Sequence, residues 1–204
     1  MRTFLLLAWN PVKNSAVIFD LDGTLTKPYL DFDAIRKEIG VTGPILEAIE
    51  HFTGDERLRA DSILARHEWD AARNAALYEG AAEVVAECRA RGFPVAIMTR
   101  NARPTACHVL DTFGIAVDAI RTREDGAIKP SPEPVFDLCR QLDADPRKSW
   151  VVGDFRFDIL SGRAAGTRTV LMVGDDPVPD YAHGADHVIR RLAELLPLLG
   201  QAAE

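Results

Sequence analysis

The chain is expected to be an α/β protein: a doubly wound, Rossmann-like parallel sheet core with a small helical cap inserted after the first strand. Three observations predict this. Short apolar runs alternate with helix-period segments along most of the sequence. The first, second and fourth of those runs are apolar at both parities, as strands buried on both faces are. Residues 27–78 carry helical patterns and no strand pattern, so they interrupt the alternation.

The first strand is AVIFDL (16–21). The insert follows, with DFDAIRKEIG and GPILEAIEHF as two short helices and GDERLRADSILARHEWDAARNAAL as a long one. A helix over 80–92 places Val84, Val85 and Cys88 on one side and stops at Gly92. The second strand, PVAIMT (94–99), leads to a helix over 103–114 with Pro104 in its first turn and Gly114 at its end. The third strand, VDAIRT (117–122), precedes a helix over 131–143 that starts with Ser131 and two prolines and is expected to bury Val135, Phe136, Cys139 and Leu142. SWVVGD (149–154), RTVLM (168–172) and a short DHVI (186–189) complete the sheet. The resulting organisation is a core of residues 1–26 and 79–204 with a cap of residues 27–78. The N-terminal run FLLLAW is too short to span a bilayer and is expected to pack on the core.

Composition narrows the partners. The 204 residues carry a formal charge of −7, which argues against nucleic acid, whose phosphate backbone calls for a basic face. No stretch is long and apolar enough for a membrane span. Cys88, Cys107 and Cys139 are scattered and form no CxxC pair, the usage of a reduced, cytoplasmic protein, with Cys88 and Cys139 read as small core residues. The sequence does not fix the oligomeric state.

The chemistry lies at the strand ends. The first strand ends in Asp20 and Asp22, the second in Thr99 followed by Arg100 and Asn101, and the fourth in Asp154 and Asp158 of GDFRFD. Lys129 sits in GAIKPSPEP after the third strand. A parallel sheet brings all of them to one rim, where ligands of open α/β sheets bind. Carboxylates gathered from distant positions need a counter-charge, and an all-oxygen set without His or Cys suits Mg²⁺. Lys129 and the Thr99 hydroxyl then form the side that meets a phosphate. Arg100 and Asn101 are further substrate contacts, with a solvated surface charge as the plain alternative for Arg100.

These motifs, DLDGTL, IMT, KPSPEP and GDFRFD in that order, resemble the haloacid dehalogenase-like superfamily over residues 16 to 190. The overall pattern is similar to its phosphoglycolate phosphatase-like branch, whose insert after the first motif is called a cap. The resemblance implies a Mg²⁺-dependent phosphatase for a small phosphorylated metabolite. Asp20 would form an aspartyl-phosphate, and Asp22 would be general acid and base. Thr99 and Lys129 would hold the phosphoryl oxygens. The metal would rest on Asp20, the Asp22 backbone carbonyl and Asp154, and Asp158 would orient metal-bound waters or Lys129. The acid at position 22 favours phosphate esters over carbon–halogen bonds, which leave no alkoxide to protonate. A phosphosugar mutase of the same superfamily is the alternative, weakly disfavoured by the small insert. From another class, a phospho-accepting receiver or a non-catalytic binding module fits the motif order less well. The sequence has TRN where phosphoglycolate phosphatases usually show TNK, which sets glycolate phosphate itself apart. Arg36, Arg57, Arg59, Arg66 and His67 of the insert are candidates for an anionic substrate tail, or else solvated helix charges.

Overall fold

The computed structural model describes residues 14–200, so the N-terminal FLLLAW run lies outside the described residues. Among them are six strands: β1 (Val17–Phe19), β2 (Val95–Met98), β3 (Ala119–Arg121), β4 (Trp150–Gly153), β5 (Arg168–Met172) and β6 (His187–Ile189). All pair in parallel, in the order β3-β2-β1-β4-β5-β6. This is the doubly wound arrangement read from the sequence, with β1 between β2 and β4. Its register aligns Phe19 with Ile97 on one side and Val152 on the other. The residues just beyond them therefore emerge side by side at one edge.

The double apolar parity of β1 has a direct cause. Val17 and Phe19 pack into a cluster with α4 (Ala81–Ala90) and α5 (Arg103–Thr112), whereas Ile18 faces α6 (Glu133–Gln141) and α7 (Arg156–Ala165). Helices cover both faces, so no position on the strand can be polar. A short α8 (Leu195–Leu198) closes the first cluster.

One helix departs from the expected burial. On α6, Val135, Leu138 and Cys139 face the sheet, while Phe136 is 37% exposed. Spacings of three and four residues keep the first three on one stripe, and Phe136 lies about 100° around the helix from Val135. Leu142 is half-buried against the same cluster. Helix α7 lies where the sequence reading assigns no helix. It runs from Arg156 and ends at Gly166, whose φ of 81° suits a residue without a side chain.

Between β1 and α4 lie α1 (Phe32–Ile39), α2 (Ile45–Ile49) and α3 (Gly54–Arg73). Asp31 caps α1, its side chain accepting from the Asp33 and Ala34 N–H groups at 3.1 and 2.9 Å. The three helices share an apolar cluster of Ile35, Ile39, Ile45, Ile49, Ile63 and Leu64, separate from those on the sheet. The outgoing and returning connections run together: Lys27 N–H donates to Ala76 C=O at 2.8 Å, and Tyr78 N–H to Leu25 C=O at 2.9 Å. Trp69 of α3 meets the ring of His108 on α5 edge-on, with centroids 5.6 Å apart.

The α6 packing gives a contrast to measure. Leu138→Ala leaves a void under the sheet and is expected to cost about 2–5 kcal/mol in urea unfolding, whereas Phe136→Ala costs less than about 1 kcal/mol. Equal costs for the two would contradict the placement of this helix.

Candidate active site

Asp20 follows β1 directly, its N–H donating to Val152 C=O at 2.8 Å. That bond holds the carboxylate at the rim between β2 and β4. Lys129 reaches in from the loop before α6, with its Nζ 2.6 Å from Asp20 Oδ1 and 2.6 Å from Asp158 Oδ1. All three side chains are nearly sealed from water. Burial alone would lower the lysine's pKa, but the charges of Asp158 and Asp20 outweigh it and raise the value. The ammonium is therefore firmly protonated.

Asp158 sits in the first turn of α7, where its Oδ2 accepts from Phe155 N–H at 3.1 Å. It is both the cap of that helix and the second anchor of Lys129. Burial raises its pKa to about 6, against the attraction of Lys129. Asp154, after β4, is pushed well above the ordinary carboxylate range by burial and by repulsion from Asp20 and Asp158. Asp20 is also raised, by burial first, although Lys129 opposes the shift. One carboxylate oxygen from each of Asp20, Asp154 and Asp158 lies within 4.8 Å of the others. Three carboxylates against one ammonium leave two formal negative charges in excess.

The turn after β1 is built around this cluster. Gly23 has a φ of 82°, and a Cβ there would lie 2.2 Å from Asp154 Oδ2. Only glycine admits both the conformation and the close approach. Thr24 Oγ1 donates to Asp154 Oδ1 at 3.3 Å. Gly153 is constrained by contact alone, since a Cβ would fall 2.1 Å from Asp158 Cγ.

Asp22 belongs to a different set. Its Oδ1 accepts from Thr26 Oγ1 at 3.2 Å, and its Oδ2 from the Asn101 amide. Its carboxylate is not one of the three that converge, which leaves its backbone carbonyl as the group the sequence reading assigned toward a metal. Burial raises its pKa as well, against those two hydrogen bonds. Thr99, buried at the end of β2, accepts from Asn101 N–H at 3.1 Å. All of these side chains except Thr24 and Thr26 line one cavity of about 580 Å³ between the sheet edge and helices α1–α3.

Comparison with known proteins decides the family. The model of the haloacid dehalogenase-like hydrolases matches residues 15–166. The chain belongs to this family. It is 27% identical to a pyrophosphatase, PpaX, of Bacillus mycoides, over 93% of this chain and 99% of that one. Among solved structures, a hydrolase from Pseudomonas syringae superposes with a TM-score of 0.76 at 21% identity, covering 93% of this chain and 100% of that one. A predicted phosphoglycolate phosphatase from Haemophilus somnus gives 0.71 at 22% identity, covering 90% and 97%.

In this haloacid dehalogenase-like hydrolase, the ties between the insert and the cavity rim are what the sequence reading lacks. Arg100 is no solvated charge. Its Nη2 contacts both Glu47 oxygens, at 2.9 and 2.7 Å, its Nη1 donates to Lys129 C=O at 2.5 Å, and its guanidinium lies 4.8 Å from the Phe157 ring centre. Glu47 is on α2, so this pair ties the insert to the rim. Glu68 of α3 is a second tie: it is buried, binds Arg123, and accepts from Ala102 N–H at 3.3 Å. Its signal was present in the sequence, because Ala60, Leu64, Glu68 and Ala72 recur every four residues and place a carboxylate on an apolar stripe. Of the five basic candidates on the insert, only Arg36 lines the cavity. Arg57 pairs with Asp61 at 2.7 Å, Arg59 donates to Glu38 C=O, and Arg66 and His67 both meet the Glu38 carboxylate. Among the described residues, no helix is long and apolar enough to cross a membrane.

The contact at Gly23 predicts that Gly23→Ala displaces Asp154 and strains a left-handed turn. Thermal melting of the variant should fall by several degrees, equivalent to roughly 1–3 kcal/mol. A melt unchanged from wild type would contradict this packing of the turn.

Proposed function

We propose that this protein is a Mg²⁺-dependent phosphatase of small phosphate monoesters working through an aspartyl-phosphate on Asp20. The observation that carries the reading is the convergence of Asp20, Asp154 and Asp158 beside a buried, protonated Lys129. The donor set fits the metal: it is all oxygen, carries surplus negative charge, and has its carboxylate pKa values raised by crowding and burial. Asp20, Asp154 and the Asp22 carbonyl would hold Mg²⁺, with Asp158 behind them. When bound, the ion supplies positive charge that offsets repulsion between a carboxylate nucleophile and a phosphate dianion.

The remaining steps fall to side chains. An Asp20 oxygen attacks phosphorus as the bond to the ester oxygen breaks, and the departing alkoxide takes a proton from Asp22. The raised pKa of Asp22 supports its carrying that proton, and Asn101 and Thr26 hold the group in place. Asp22, now ionised, accepts a proton from water as the water attacks the phosphoryl group, which frees Asp20 and releases inorganic phosphate. Thr99 Oγ1 and Lys129 Nζ would hold the non-bridging oxygens, and Asp158 fixes Lys129 for this. Arg100 acts at one remove, since its bonds to the Lys129 carbonyl and to Glu47 position the lysine loop against the insert.

Residues 27–78 serve as the cap in this reading. Their apolar cluster and paired connections suit a unit that moves as a body. The family membership and the relatives named as pyrophosphatases support phosphoryl hydrolysis as the reaction class.

Asp20→Asn should lower kcat for p-nitrophenyl phosphate by at least roughly 10³-fold, and chelation of Mg²⁺ should abolish turnover of wild type. Near-normal phosphate release by the variant, or by metal-stripped enzyme, would overturn the assignment.

A further inference from the structure

We propose that the part of the substrate beyond its phosphate is an apolar organic group, not a second phosphate and not a polyhydroxylated sugar. This rests on the phosphatase reading above and concerns the far end of the same cavity. The acids and Lys129 occupy one end of the 580 Å³ space. At roughly 30 Å³ per water that space equals about nineteen waters, far more than a phosphate fills. The insert walls the rest with Leu30, Phe32, Ile45, Leu46 and Leu64, and the start of α7 adds Phe155, the residue before it, and Phe157.

All but one of the polar groups along this stretch are already engaged, the exception being Arg156. Arg100 is held by Glu47 and the Lys129 carbonyl, Glu68 by Arg123, Asn101 by Asp22, and Arg36 by Asp33. Sugar hydroxyls buried there would lose water and meet few free partners, a net loss for each. A second phosphate would lie among apolar side chains and the Glu68 carboxylate, with Arg156 at the exposed rim as the one lining cation that no carboxylate already holds. An apolar group loses nothing and gains the burial.

The rim adds an independent sign. Phe32 and Phe155 are 52% and 43% exposed, and both stand at this one cavity. Single exposed aromatics are ordinary, but two joined to an apolar interior form a continuous surface that a ligand would cover. Arg156 lies over the Phe155 and Phe157 rings at 5.7 and 5.2 Å, and among the described residues it has no carboxylate partner. Its face extends this wall without presenting a negative charge.

The test is phosphate release from ethyl, butyl and hexyl phosphate, glucose 6-phosphate and pyrophosphate under one set of conditions with Mg²⁺. The four esters all leave primary alcohols, so differences among them report the pocket and not the leaving group. A fully buried methylene is worth about 0.8 kcal/mol, or roughly fourfold, so kcat/KM should rise at least about tenfold from ethyl to hexyl phosphate even with partial burial. Hexyl phosphate should also exceed glucose 6-phosphate and pyrophosphate. A flat alkyl series, or a preference for the sugar phosphate or pyrophosphate, overturns the inference and leaves the phosphatase reading standing. Turnover of none of the five overturns that reading, and the inference with it. Leu46→Asp should collapse the hexyl-to-ethyl ratio toward one. A variant that melts like wild type and keeps the ratio also refutes the apolar pocket.

Discussion

Lys129 Nζ stands 2.6 Å from a carboxylate oxygen of Asp20 and 2.6 Å from one of Asp158, with all three side chains nearly out of water. An ammonium buried alone would be costly, as would either carboxylate. Together they satisfy one another, and they do so across the end of β1, the loop before α6 and the first turn of α7. The rim geometry follows from this triad. It aims Asp20 into the cavity, fixes the loop carrying Lys129, and ties α7 to the sheet through Asp158 and the Phe155 N–H. Asp154 then enters as a third carboxylate with no cation left for it, held close by a turn that only Gly23 can make.

A second layer of ion pairs reaches from the insert to the same rim. Arg100 with Glu47 and Arg123 with Glu68 span from α2 and α3 to the segments after β2 and β3. The first is part-exposed and the second has a buried carboxylate, so they differ in what breaking them entails. Separating Arg123 from Glu68 strands a desolvated charge, whereas Arg100 and Glu47 can exchange partners with water. Any movement of the insert is therefore easier at α2 than at α3. The apolar wall that α1 and α2 lay over the cavity is the part such a movement would open.

Much of this was legible in the residues. Strand positions followed from apolar runs at both parities, because a sheet covered on both faces leaves no strand position in water. Parallel pairing then gathered Asp20, Thr99 and Asp154 at one edge by geometry alone. What escaped depends on pairing between elements far apart in sequence. Arg100 reads as a substrate contact or a surface charge, because nothing near it shows that Glu47, on an inserted helix, arrives beside it. Phe136 looked like core by residue type, and helical phase rather than hydrophobicity decided otherwise. Asp22 read together with Asp20 as one acidic pair, yet Thr26 and Asn101 draw its carboxylate into a separate set. Glu68 was within reach, since a carboxylate on an alanine and leucine stripe calls for a buried partner.

The surplus of charge at the rim can be read directly without catalysis. In metal-free protein, the raised pKa of Asp158, from an ordinary 3.8 to about 6, stabilises the fold below the ordinary value, and that contribution is lost as pH rises through about 6. Asp154 shifts in the same direction. A cation that takes the ionised carboxylates should restore what is lost. The measurement is the rise in melting temperature on adding Mg²⁺, for wild type and for Asp154→Asn, at about pH 5 and about pH 7.5. A rise that is larger at the higher pH, and that disappears in the variant, is the predicted result. No Mg²⁺-dependent rise in wild type, or one that Asp154→Asn retains in full, would contradict a shared cation site on these carboxylates.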